Sequence, residues 1–254
     1  GRLRLFAWFE CLIASFVGFY VAVLLGAPHS VYPTIEIPDY EPRTFFFVAV
    51  AGVVFGLAAR AFSVSTHLVE RFVNRWVSYP PLKPFLGGLL VISLFYVEGS
   101  GRYAGLGIPF IQEALVSPSP LQEPVWKSVL TSLTVGTGFK GGEFIPLVFV
   151  GTTLGSALSV LIPVSVGLLA ALGFAAVFGG AANTPLACAL MAMEIFGLRI
   201  GPFALLACFA SYYFSGHHGI YKSQRIHRRK HERLKEWLNR LKGLPHRFSR
   251  GRRS

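Results

Sequence analysis

Charge is scarce in this chain: Asp, Glu, Lys and Arg make up 14% of its 254 residues, against 53% hydrophobic ones. A water-facing surface needs more charge than that, and with a mean hydropathy of +0.54 an ordinary soluble exterior is excluded. Cysteine is nearly absent too. Cys11, Cys188 and Cys208 all fall in apolar segments with no CxxC or Cys/His spacing, which leaves neither a disulfide framework nor a zinc site to read. His227 and His231 stand four apart, but in so basic a stretch they read as solvated, so no metal and no cofactor is expected. Catalytic signatures are missing as well. Without a GxSxG turn, an HExxH helix or a carboxylate pair in its apolar runs, the chain does not read as an enzyme.

What fills the chain is apolar sequence broken by glycine and proline. Leu5–Leu25 is long enough, at about 1.5 Å per residue, to cross a hydrocarbon core of roughly 30 Å, with Glu10 its only charge. Further apolar runs are Thr44–Phe62, Phe85–Val97, Val125–Val135, Phe144–Ile162, Val166–Gly179, Thr184–Phe196 and Pro202–Phe214. Several are too short to span alone. Broken helices survive in a bilayer only where the freed backbone is buried in protein or lines a cavity, so an all-α membrane protein of transporter or channel type is predicted. Gly52 and Gly56, and Gly151 and Gly155, stand at the GxxxG spacing that lets helices touch backbone to backbone; for either pair alone, permissive glycine is an equal reading.

The remaining charge is distributed by side. Glu36, Asp39 and Glu41 mark the first loop as external, whereas Arg60, Arg71, Arg75 and Lys83 in the next connection mark it as cytoplasmic. The stretch with Glu113 and Glu123 leans acidic and is placed outside. After Gly216 comes a tail dense in Lys, Arg and His that supplies much of the net charge of +12. Leu234, Trp237, Leu238 and Leu241 within it are spaced as on one helix face, which fits a basic amphipathic helix on anionic lipid at the cytoplasmic surface; a solvated tail is the alternative. No nucleic-acid module accompanies the charge, so nucleic acid is not expected as a partner.

Gly136-Thr-Gly-Phe-Lys-Gly-Gly-Glu-Phe-Ile-Pro146 carries the sharpest functional signal. Glycines let the backbone bend, and Pro146 suits a first helical turn because its missing N–H would have been unpaired there. The amides of Glu143, Phe144 and Ile145 then point outward without helical acceptors, at the positive end of the helix dipole. Such a start, set in hydrocarbon, is suited to replacing an anion's hydration shell. Glu143 is awkward beside an anion, and its side chain is expected to turn away, capping the helix or pairing with Lys140. Glu194 is a second acidic candidate inside an apolar run; a functional role and a pairing role at a helix end both stand.

The run Gly141-Gly-Glu-Phe-Ile-Pro146, followed by Gly155-Ser-Ala, resembles the GxFxP signature of CLC chloride channels and anion/proton antiporters of bacterial type. Gly105-Leu-Gly-Ile-Pro109 looks like the glycine-proline turn ahead of that signature. Ala182-Asn-Thr-Pro-Leu186 looks like the start of the family's helix P, and Gly216-His-His-Gly-Ile-Tyr221 like the segment carrying the pore tyrosine. The four occur in the family's order and extend the resemblance from Leu5 to about Gln224.

This resemblance implies an inverted-repeat fold of broken and tilted helices, with 1–63 the end of the first repeat, 64–216 the second repeat, and 217–254 the pore-tyrosine segment and basic tail. It implies a homodimer in the bacterial inner membrane that transports chloride, with fluoride the close alternative, as a channel or in exchange for protons. The amides of Glu143, Phe144 and Ile145 and the Tyr221 hydroxyl would hold the anion, with Gly141, Gly142 and Pro146 shaping the helix start. For Tyr221 an interfacial-belt role stands beside the pore role, and for Phe144 the ring reads as core while its amide acts. The family's GSGIP-type and GREGP-type turns, the latter with the gating glutamate, do not occur in the chain, which suggests an N-terminally truncated reading and an incomplete pore. A membrane-embedded lipid enzyme and a non-transporting dimeric scaffold are the alternatives from other classes.

Overall fold

A computed structural model describes residues 5–27, 31–217 and 219–221, with side chains from Phe9 onward. The described residues are helical without a strand. The helices are α1 (Leu5–Leu24), α2 (Pro42–Trp76), α3 (Leu82–Glu98), α4 (Ile108–Ala114), α5 (Gln122–Gly136), α6 (Phe144–Leu158), α7 (Val166–Ala181), α8 (Pro185–Phe196) and α9 (Gly201–Phe214), with a single 3-10 turn at Leu198–Ile200. The basic segment with Leu234, Trp237, Leu238 and Leu241, and the pair His227 and His231, lie outside the described residues.

Helix α7 is the centre. Thirteen of its sixteen residues are buried, which is what an alanine- and glycine-rich helix with no polar face permits. Helices α6, α8, α9 and the middle of α2 pack around it. Gly151 and Gly155 on α6 lie directly against the Gly173 and Leu169 carbonyls of α7, where an added Cβ would collide with backbone. Both glycine pairs expected from the spacing thus mark real crossings. Gly52 and Gly56 on α2 meet α9, where a Cβ on Gly52 would lie 2.7 Å from that of Ala210. Two serines add polar ties from α9 to α7: Ser211 Oγ donates to the Ala176 carbonyl (2.6 Å) and Ser215 Oγ to that of Gly180 (2.8 Å). Such side-chain donors, added to a helix whose own ladder uses its backbone, fix the register of the crossing.

Helix α2 differs from the sequence expectation. The span predicted over Thr44–Phe62 continues unbroken to Trp76, so Arg60, Arg71 and Arg75 stand on a helix rather than in a connection. The reason is local: no glycine or proline follows Gly56 until Pro80. Its buried stripe, Val48, Ala51, Gly52, Phe55, Gly56, Ala59, Phe62, Ser63 and Thr66, keeps helical spacing, and Ser63 and Thr66 satisfy their hydroxyls on the Ala59 and Phe62 carbonyls. At 35 residues it is, among the described residues, the helix both long and apolar enough to cross a membrane by itself. Helix α1 is apolar and exposed on all its described faces. The acidic stretch also resolves differently, since Glu123 sits buried in the first turn of α5 rather than in an external loop.

Candidate functional site

The site is built by the end of α5 and the start of α6. Helix α5 closes with Gly138 at φ +103°, a conformation open to glycine, while the Gly138 amide reaches the Val135 carbonyl (3.1 Å) and the Phe139 amide that of Thr134 (3.3 Å). That double bond pattern is how a glycine terminates a helix. The chain then runs irregular and exposed through Gly141 and Gly142, where an added Cβ would meet nothing within 4 Å. Helix α6 begins at Phe144, and its first backbone donor into the ladder from this side is Leu147, to the Glu143 carbonyl (3.2 Å). Pro146 has no N–H, so the amides of Phe144 and Ile145 are the helix donors left over at this end.

A cleft of about 540 Å³ opens beside this turn. Its wall includes Thr66, His67 and Glu70 of α2, the α5–α6 turn with Lys140, Gly141 and Glu143, and Ile220 and Tyr221 beyond α9. Two parts of the sequence singled out separately, the glycine-rich turn and Tyr221, therefore face one space. Tyr221 is 44% exposed there. Its segment is fastened from behind: the Ile220 amide donates to the Ala181 carbonyl at the end of α7 (3.0 Å), and the His67 ring meets the Gly219 carbonyl (3.2 Å). Lys83, Lys140 and His67 face Glu70 and Glu143 around the rim, and Lys83 is tied to Asn74 Oδ1 at 2.6 Å.

The Glu143 side chain does not do what its position suggested. It makes no cap hydrogen bond to α6, and among the described residues no ion pair joins it to Lys140. Instead Glu143 lines the cleft, within electrostatic reach of His67 and Tyr221, with its Oε2 buried and unpartnered. The physical reason is the turn itself. Glu143 sits at φ −93°, ψ −6° rather than in the extended geometry that swings a cap side chain back over its own helix. Phe144 and Ile145 direct their side chains into the core, the Phe144 ring meeting Phe178 edge-on at 4.8 Å, so only their amides can serve the cleft. Glu194 is not brought to the site. Cys188, Ala189 and Ala192 form the buried face of α8, and Glu194 lies exposed on the other side with no ion pair among the described residues.

Three residues were missed by reading the sequence: Lys127, Arg102 and His67. Lys127 is 3% exposed and donates to the carbonyls of Tyr103 (2.9 Å) and Gly105 (2.8 Å), with Phe149 5.0 Å from its ammonium. Arg102 bridges Glu113 and buried Glu123, each at 2.8 Å, and lies over the Phe110 ring. Together they strap the Gly99–Gly107 stretch onto α5. A lone lysine inside the apolar run Val125–Val135 was a readable signal, because a charge in a span needs a partner. His67 offered none, since its partner is 152 residues away.

Broken helices converging on a polar cleft, with glycine-paired crossings behind it, define the architecture of a membrane transporter or channel. The chain belongs to the voltage gated chloride channel family, whose model matches residues 1–216. It is 44% identical over 239 residues to a chloride/fluoride channel protein of Pseudomonas syringae pv. tomato, covering 92% of this chain and 53% of that one. It is 27% identical over 223 residues to a voltage-gated ClC-type chloride channel of Salmonella dublin, covering 82% and 52%. Among solved structures, a CLC-type fluoride/proton antiporter superposes with a TM-score of 0.80 at 32% identity, over 84% of this chain and 54% of that one. A slow cyanobacterial Cl−/H+ antiporter shares the fold, with a TM-score of 0.61 at 19% identity over 74% and 47%. The fold expected from the resemblance is the fold observed, and the chain is an integral membrane protein. It spans about half the length of the curated relatives it matches.

Proposed function

We propose that the cleft is one wall of an anion pathway and that the protein carries a small halide, chloride or fluoride, across the membrane in exchange for protons. The observation that carries this reading is the convergence of the glycine-rich α5–α6 turn, up to Glu143 just ahead of α6, and Tyr221 on one cleft. Leftover helix amides supply donors without a fixed charge, and a phenol adds one more, so an ion can be desolvated without being trapped. Glu143 supports the proton part. The residue lines the same space with one carboxyl oxygen buried and unpartnered, and a carboxyl beside an anion repels it when ionised and can donate to it when protonated. The Pseudomonas syringae relative and the fluoride/proton antiporter structure, at 44% and 32% identity, both carry fluoride in their descriptions, which supports fluoride alongside chloride. In this reading the basic tail lies on the cytoplasmic face of a bacterial inner membrane, against anionic lipid, and the protein is a homodimer.

The test is flux from liposomes holding the protein at its full natural length, read with chloride- and fluoride-selective electrodes and a pH electrode. Halide efflux that drives proton uptake supports exchange. Efflux without proton movement leaves a channel, and no efflux of either halide removes the reading.

A further inference from the structure

We infer that His67 is a positioning residue that holds Tyr221 at the cleft, an inference resting on the reading of Tyr221 as an anion donor. The residues just before Tyr221 have two outside ties. One is backbone to backbone, from the Ile220 amide to the Ala181 carbonyl at 3.0 Å, and any sequence can make it. The other depends on a side chain: His67 Nε2 lies 3.2 Å from the Gly219 carbonyl oxygen. A carbonyl only accepts, so the ring donates from Nε2, while Nδ1 faces Glu70 on the same helix at 3.9 Å. These two ties reach different elements, Ala181 at the end of α7 and His67 well along α2. With Gly219 and Ile220 each tied to a different helix, the backbone that leads into Tyr221, and so the point from which its phenol projects into the cleft, is fixed.

His67 is well placed for this work. Its turn of α2 is itself anchored, with Thr66 bonded to Ser132 of α5 (3.2 Å) and Ser65 to the same hydroxyl (2.7 Å). The α5 helix bearing Ser132 leads four residues later into the glycine-rich turn. One hydroxyl cluster therefore sets the α2 turn that holds Tyr221 and the α5 end that delivers the α6 amides. The two donor sets, distant in sequence, are referred to a common frame.

The experiment compares His67→Phe, His67→Met and His67→Gln in the full natural-length protein, reading amide hydrogen exchange across Gly219–Tyr221 and halide affinity by calorimetry. Gln places an N–H near the position of Nε2, whereas Phe and Met have no donor. Exchange should rise in Phe and Met and stay near wild type in Gln. Halide binding should weaken about tenfold in Phe and Met, the loss of one oriented hydrogen bond, and recover in Gln. In a Tyr221→Phe background the His67→Phe effect on affinity should vanish, because His67 acts through that hydroxyl. Unchanged exchange in both Phe and Met overturns the inference, and so does an affinity loss of equal size without the Tyr221 hydroxyl. The Met variant, flexible and without a ring to fit, decides the matter should Phe fail to fold. A wild-type protein that binds neither halide sinks the transport reading and with it the role of His67 in positioning a donor, while the exchange data still report whether the tie exists.

Discussion

Glycine does opposite work within α6 and in the turn that leads into it. At Gly151 and Gly155 the missing side chain is space already taken, since α7 backbone fills the position a Cβ would occupy. At Gly141 and Gly142, a few residues earlier, the missing side chain is space left open, with nothing within 4 Å. The first pair lets a buried helix approach another closely enough to dispense with side-chain packing. The second leaves the approach to the helix start clear, and in the proposed pathway that is where an ion would come within hydrogen-bond distance of backbone. A glycine count cannot tell these apart, and the neighbour at the Cβ position can.

The sharpest break in that comparison is Gly155→Val. Its branched side chain must displace the Leu169 backbone, and overpacking against backbone in a filled core is expected to cost more than about 3 kcal/mol. The detergent-solubilised protein should lose its monodisperse fraction and melt well below wild type. Gly141→Ala is the counterpart. With open space at the Cβ position and φ outside the left-handed region, stability should stay within about 0.5 kcal/mol, while halide affinity falls about tenfold because a methyl group now stands in the approach. An Ala variant that melts early but binds normally would erase the distinction between the two glycine pairs. Tyr221→Phe should weaken halide binding about five- to tenfold, the net worth of one hydrogen bond, without changing the melting temperature, since the hydroxyl faces the cleft rather than the core.

Much of this was legible before any coordinates, and the division has a physical cause. Hydropathy and the motif order located most of the helices, though not α4, and the α6 start, and glycine spacing pointed to both crossings with permissive glycine as an equal reading, because each is written in residues close together in the chain. The course of α2 past Phe62 was misread because charges were taken as a boundary, whereas no glycine or proline breaks the chain from Leu57 to Trp76. Glu143 was misjudged for a subtler reason. Acidic residues at a helix start usually cap it, and what prevents it here is a backbone angle that composition does not reveal. The His67 contact with Gly219 and the Arg102 bridge to Glu123 depend on tertiary placement alone.

Phe144→Leu gives the smallest expected effect and the cleanest reading of the comparison. The ring packs edge-on against Phe178 at 4.8 Å, and losing that contact should lower stability by about 1 kcal/mol, visible as a modest drop in melting temperature. The amide at position 144 is unchanged, so halide affinity should stay within about twofold of wild type if backbone alone serves the ion. Together with Gly141→Ala, this variant separates two properties at adjacent points of one turn. The glycine change should alter binding without stability, and the phenylalanine change stability without binding. A Phe144→Leu protein that folds normally yet binds halide ten times more weakly would mean that the ring, and not just the backbone, lines the path, and the open end of α6 would then need a side-chain account as well.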